Sequence, residues 1–512
     1  MEKRSRITPY FLVILAAVMF AANSCSDNFY EQLAGDRITP EQGFQTSGDL
    51  LRSLGGAMLP LQDFMPKLIM LDGLRSDQMD VTQYADAYFR AINDQSFTVD
   101  NPFIDGSDLY KVVINCNEIL ANIDRVAEKD RNVDDYILHY VKGAVIGLRS
   151  WAYFTIVRIY GEAAYIEGNM TSLPKGDQTF LSKDVMIDTL INQITPYIHD
   201  SNVGKEYIEI RVSGYPNTKA LLGELYLEKN DYGNAVTYLK MSCESYGNLA
   251  SMLKVDKSFI DKSWKNIFVG SKGILTENIS VIPFASTEGQ VNPLPQWMLY
   301  NDQYMVKPTQ ILADNFKAQV QLKDNGQGTG DVYRGLGVTY GKSDTSVTGE
   351  PFILKYGIDQ GEPYSTDIII SRAADIHLLL AEALNRSGES ASALLLLNAG
   401  FNSLSPRPAV WARWNNNQGI RGRAYLKPKL IPVGYAGDLT ELVEDYIIDE
   451  RTMELAFEGK RWFDLVRIAD RRGKPEFLAD KVAAKFGVPG DTKYDAIHAF
   501  LMNPANWNLP IK

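Results

Sequence analysis

Three glutamates, Glu450, Glu454 and Glu458, stand four residues apart in the stretch ERTMELAFEGKRWFDLVRI, residues 450–468. Paired carboxylates are the working groups of glycoside hydrolysis, one as acid and one as base or nucleophile, and they must flank the scissile bond from two sides. Carboxylates four apart on a helix lie on one face and point the same way. Arg451, Lys460, Arg461 and Arg467 are close enough in sequence to neutralise them, with Asp464 in their midst. Leu455, Phe457, Trp462, Phe463, Leu465 and Val466 are interleaved and must be buried. The stretch therefore reads as a structural ion-pair clamp among aromatics. We expect helix over 440–458, a break at Gly459, where glycine costs a helix about 1 kcal/mol, and a second short helix from about 461.

Other chemistry is thin. His139, His199, His377 and His498 are scattered, with no His/Cys pairing at zinc spacing. NGQGTG (325–330) lacks the strand-to-helix context and the Gly-Lys-Ser/Thr of a phosphate loop and reads as a turn. No cofactor or metal is expected. Binding groups are better represented. Aromatic rings stack on the apolar C–H face of a sugar, and planar amide or guanidinium groups donate to its hydroxyls. Aromatics in polar, non-helical context mark three candidate groups: Arg75, Asp77, Tyr84, Tyr88 and Asn93; Trp297, Tyr300 and Tyr304; Trp411 and Trp414.

The elements that must position these groups are mainly helical. Residues 108–129 carry Val112, Val113, Cys116, Ile119, Leu120 and Ile123 at helical spacing. A long apolar-rich helix follows over 134–161, closed by Gly161, and further helical segments cover 47–65 and 183–201. Residues 216–245 read as helix, short turn (229–232) and helix, resembling a tetratricopeptide unit, and 371–401 repeat the design with a turn at 385–388. Stacked pairs of this kind form a scaffold. Two segments, 255–370 and 402–440, are rich in turn formers, with β-like runs at 279–285 and 351–358. They read as long irregular insertions, the usual home of binding function. The expected fold is mostly α: a helical scaffold of tetratricopeptide-like pairs, within 108–250 and 371–401, with long irregular insertions and minor β, in a single domain over 41–512.

The chain has 512 residues, 45% hydrophobic, with a formal net charge of −11. The first 24 residues contribute +2 through Lys3, Arg4 and Arg6 against Glu2, leaving −13 for the rest. An acidic surface repels phosphate backbones, so nucleic acid is not an expected partner. The basic start leads into FLVILAAVMFAA (11–22), too short for a comfortable membrane span. Asn23–Ser24–Cys25 then resembles a bacterial lipobox. On this reading residues 1–24 are a lipoprotein signal peptide, Cys25 is lipidated, and 25–40 are a tether. Acyl chains contribute about 0.8 kcal/mol per buried CH₂ to membrane anchoring. Cys116 and Cys243 are expected as buried thiols, with a bridge between them left open.

ERTMELAFEGKRWFDLVRI resembles the C-terminal signature of the SusD/RagB family of nutrient-binding outer-membrane lipoproteins of Bacteroidetes. Residues 109–123, 141–162, 372–388 and 506–512 resemble further family segments in the same order, so with the lipobox the likeness spans nearly the whole chain. The run LLLLNAGFNSL (394–404) departs from the family pattern. The resemblance implies four tetratricopeptide-like pairs and a place on the outer leaflet of the outer membrane. It also implies a non-catalytic role as lid to a TonB-dependent SusC-like transporter, capturing an oligosaccharide. Three alternatives stand beside this: capture of peptides by the same architecture, a secreted glycoside hydrolase, and a repeat adaptor with only protein partners. In the family reading Glu450, Arg451, Glu454, Glu458, Arg461, Trp462, Asp464 and Arg467 are structural.

Overall fold

The computed structural model describes residues 40–168, 179–198, 215–244, 264, 267–268, 277–323, 326–344, 349–357 and 361–511, less 405, 407, 412–413 and 415–417. Cys25, the expected signal segment, the expected tether up to residue 39 and His199 lie outside the described residues.

The helices follow their hydrophobic periodicity. After a single helical turn at Pro40–Gly43 come helices α1 (Ser47–Met58) and α2 (Pro60–Arg75); Thr46 and Asp49 form a capping box at the start of α1. Strand β1 (Met79–Val81) and helix α3 (Ala87–Asn93) lead to α4 (Ser107–Lys129) and α5 (Asp135–Tyr160). Gly161, at φ 84°, ends α5 in a left-handed conformation that favours glycine. A small hairpin, β2 (Glu162–Ala164) and β3 (Phe180–Ser182), precedes α6 (Lys183–Ile194), which is shorter than expected and passes into a 3-10 turn at Thr195–Tyr197.

The two tetratricopeptide-like units are α7 (Thr218–Glu228) with α8 (Tyr232–Glu244), and α11 (Ala373–Arg386) with α12 (Ser390–Asn398). They are 128 residues apart in sequence, yet α8 packs directly on α11. Leu227, Leu239 and Cys243 share a core with Leu380, Leu384 and Leu397. On the other side α7 packs against α5 and α6, and α4 against α5, so the pairs form a continuous stack. Cys116 in α4 and Cys243 in α8 are buried free thiols.

The segment between the two units leaves and returns at one place. Strand β4 (Asn278–Ile282) pairs antiparallel with β10 (Ile368–Arg372) and closes the neck of the excursion. Inside it lie α9 (Leu294–Met298), β5 (Val306–Pro308), α10 (Gln310–Lys317), the hairpin β6 (Val320–Lys323) and β7 (Gly326–Thr329), and the pair β8 (Tyr340–Lys342) and β9 (Pro351–Ile353). Gly326 and Gly328 of NGQGTG thus fall on β7 of this hairpin. Helix α13 (Ile420–Arg423) precedes α14 (Leu439–Glu454), α15 (Arg461–Arg472), α16 (Glu476–Ala483) and α17 (Thr492–Leu501).

The α14–α15 corner departs from the expected single helix face. Helix α14 stops at Glu454, and the chain turns through two left-handed residues, Phe457 (φ 65°) and Gly459 (φ 72°). Glu458 therefore lies off the helix that carries Glu450 and Glu454. The cations that neutralise the three carboxylates are not those adjacent in sequence. Glu450 pairs with Arg334 and Arg421, at 2.8 and 2.6 Å. Glu454 pairs with Arg334, Arg372 and Arg423. Glu458 pairs with Lys355 and Arg372, at 2.7 and 2.9 Å. Asp331 and Glu277 complete the group on Arg334, Arg372 and Arg423. Five carboxylates face five cations, all buried. Burial by itself pushes the Glu454 carboxyl up; Arg423, Arg372 and Arg334 reverse this and hold it well below the usual carboxylate range. The cations come from the irregular segments and their edges, so the helical corner anchors those segments.

The local arginines pair elsewhere. Arg451 bonds Asp464 and Asp375, Lys460 bonds Asp375, and Arg467 bonds Glu382 and Asp464. Arg461 closes on Asp77. Trp462 lies under the Arg75 guanidinium at 3.9 Å.

Candidate ligand-binding face

Strand β1 pairs antiparallel with β5, Met79 opposite Pro308 and Val81 opposite Val306. Side-chain bonds extend the pairing at both ends. Thr309 donates through Oγ1 to the Asp77 carbonyl at 2.6 Å, and Thr82 through Oγ1 to the Tyr304 carbonyl at 2.5 Å. The Thr82 N–H reaches the Met305 carbonyl at 2.9 Å. This zipper brings the loop after β1, which carries Tyr84, against the loop before β5, which carries Tyr300 and Tyr304.

Tyr84, Tyr88 and Tyr300 are 45%, 46% and 52% exposed, whereas Tyr304 is buried. The Tyr300 ring lies 5.7 Å from that of Tyr304 and 5.9 Å from that of Phe352. Burial, together with Glu350, Tyr300 and Tyr84 nearby, pushes the Tyr304 phenol up to about 12. Its hydroxyl donates to the Pro351 carbonyl. Tyr304 is thus a support under Tyr300.

Helix α3 holds the third tyrosine. Asp86 caps it by accepting the Phe89 N–H at 2.8 Å. Tyr88 faces out, and Phe89 points in against Phe103 and Trp297, with centroids 4.5 and 5.4 Å away. Arg90 donates to the carbonyls of Thr82, Gln83 and Ala85, pinning the turn that presents Tyr84. Arg90 was not among the residues singled out in the sequence; its role is backbone capture, which carries no motif.

Trp297 is half-buried and joins this face to a cleft of about 530 Å³ between α2 and the start of α4. Phe103, Asp63, Asp105, Lys67 and Lys111 also line the cleft.

Five further expected ligand contacts besides Tyr304 are interior instead. Arg75 donates to Gln95 and to the Asn506 carbonyl, Asp77 is held by Arg461, and Asn93 accepts from Lys485 at 2.9 Å. All three are buried. Trp411 stacks on Phe401 at 4.2 Å, and Trp414 packs edge-on against both; its indole N–H donates to Glu244. These tryptophans close the core between α8 and α11. Polar neighbours in sequence placed them on the surface, but their rings cover the scaffold.

Residues 291–507 match the model of the SusD family. Over these residues the chain is similar to the SusD family. A SusD-like protein of Formosa agariphila, P2, is 22% identical over 98% of this chain and 96% of its own length. Among solved structures, a SusD superfamily protein of Bacteroides vulgatus superposes with a TM-score of 0.64 at 17% identity, covering 88% of this chain and 92% of that one. A laminarin-binding SusD-like protein superposes with a TM-score of 0.57 at 17% identity, covering 88% of this chain and 96% of that one. The mostly helical SusD fold is therefore shared across these proteins. No helix among the described residues is long and apolar enough to cross a membrane.

Proposed function

We propose that this protein captures oligosaccharide at the cell surface and passes it to a TonB-dependent SusC-like transporter. The observation that carries the reading is the exposure of Tyr84, Tyr88 and Tyr300 on segments that the β1–β5 zipper and Arg90 tie together. Exposed rings on a fixed support suit the C–H face of a sugar, because little side-chain freedom is lost on binding. The laminarin-binding relative supports the ligand class. The role is binding without hydrolysis: Glu450, Glu454 and Glu458 are each already held by arginine or lysine. Acyl chains on Cys25 hold the protein on the outer leaflet.

Isothermal calorimetry against a panel of neutral glycans, laminarin among them, and against a peptide mixture tests the ligand class. Heat with at least one glycan is expected. Heat with peptides and none with any glycan would replace this reading with peptide capture. Recovery of a large barrel protein with the native lipoprotein from solubilised membranes tests the lid role; its absence would remove that part.

A further inference from the structure

The cleft beside Trp297 has a definite charge balance. Its walls include the rings of Trp297 and Phe103, and its polar groups come from two helices and a turn: Asp63 and Lys67 on α2, Asp108 and Lys111 on α4, and Asp105 just before α4. Buried Asp108 accepts from Lys67 at 2.9 Å and from Lys111 at 2.7 Å. Asp63 and Asp105 also act on Lys111. Three carboxylates thus meet two ammonium groups, and both ammonium groups are engaged before any ligand arrives.

This set suits a hydroxyl-rich, uncharged ligand. Carboxylates at the rim accept sugar hydroxyls, charge-assisted bonds of this kind are the stronger sort, and the aromatic wall offers a stacking face. An incoming carboxylate or sulfate would meet net negative charge and would have to displace Asp108 from a lysine. Trp297 connects the cleft to the tyrosine face: it stands three residues before Tyr300, and its carbonyl accepts the Met305 N–H beside β5.

We infer that the cleft is a second sugar subsite, continuous with the tyrosine face through Trp297, which takes an uncharged sugar unit and discriminates against uronate- and sulfate-bearing ones. The inference rests on the glycan reading above and adds the charge class of the ligand.

The test uses calorimetry on the full chain with neutral hexaoses (laminari-, xylo-, manno- and malto-) and with oligogalacturonate and a sulfated galactan oligosaccharide. Three proteins are compared: wild type, Asp63→Asn/Asp105→Asn and Tyr300→Ala. The expected result is binding of a neutral hexaose, no heat with the acidic pair, and at least a tenfold weaker affinity in both variants with unchanged melting temperatures. An acidic oligosaccharide that binds wild type as tightly as the best neutral one overturns the inference. So does a double variant that keeps full affinity while Tyr300→Ala loses it, an outcome that leaves the tyrosine face standing. No binding of any neutral glycan overturns the cleft and the glycan reading together.

Discussion

Arg461 and Asp77 meet through two parallel hydrogen bonds, 2.8 and 2.7 Å long, across 384 positions of sequence. Both side chains are buried. The bond joins the α14–α15 corner to the turn between α2 and β1, from which the tyrosine-bearing loop departs. Breaking a buried pair by removing one partner leaves an uncompensated charge and costs about 3–5 kcal/mol. Asp77→Ala should lower the unfolding free energy by that amount in urea titrations, while the protein still folded keeps its glycan affinity. A large affinity loss at unchanged stability would instead make Asp77 a ligand contact.

Tyr84 and Tyr300 give the opposite pattern. Both are about half exposed, so truncation should change stability by no more than about 0.5 kcal/mol. Tyr84→Ala and Tyr300→Ala should each weaken glycan binding about tenfold, or about 1.4 kcal/mol, by calorimetry. Tyr304→Ala removes a buried ring and should lower both stability and affinity.

Asp72 supplies a pH signature. Burial pushes its carboxyl up to about 7, against the Trp462 N–H that it accepts at 2.7 Å. A carboxyl whose pKa is raised on folding binds more protons in the native state than in the unfolded chain. Its contribution to stability is therefore full below the unfolded value, about 3.9, and is lost as pH rises through about 7. Asp72→Asn keeps an acceptor for Trp462 and should shrink the difference in unfolding free energy between pH 5 and pH 8. An unchanged difference would assign the pH dependence to other groups.

Gly459 turns the corner with φ 72°. A methyl group there would meet Leu68 and Ile69 at 3.6–3.7 Å, ordinary contact distances. The cost of Gly459→Ala is then backbone conformation alone, about 1–2 kcal/mol, read as a lower urea midpoint with an unchanged slope. A much larger loss would mean that the corner itself repacks.

The helices and the family resemblance were legible in the sequence. Apolar spacing marked 108–129 and 134–161 because a buried helix face must repeat every three to four residues, and the observed bounds, Ser107–Lys129 and Asp135–Tyr160, differ by a residue or so. Gly161 was legible because the left-handed end of a helix selects for glycine, and the corner at Gly459 because glycine is costly inside a helix. The tyrosines of 84, 88 and 300 stood out as aromatics in polar context. Which candidates are exposed was set by packing between distant segments. Burial depends on what packs over a side chain from distant segments, so Trp411 and Trp414 went to the core under α8 and α11, and Arg75, Asp77 and Asn93 went inside with partners hundreds of residues away. The same holds for the glutamate triad: its partners Arg334, Lys355, Arg372, Arg421 and Arg423 arrive from irregular segments with no periodic signal, because charge pairing follows proximity in space and not along the chain.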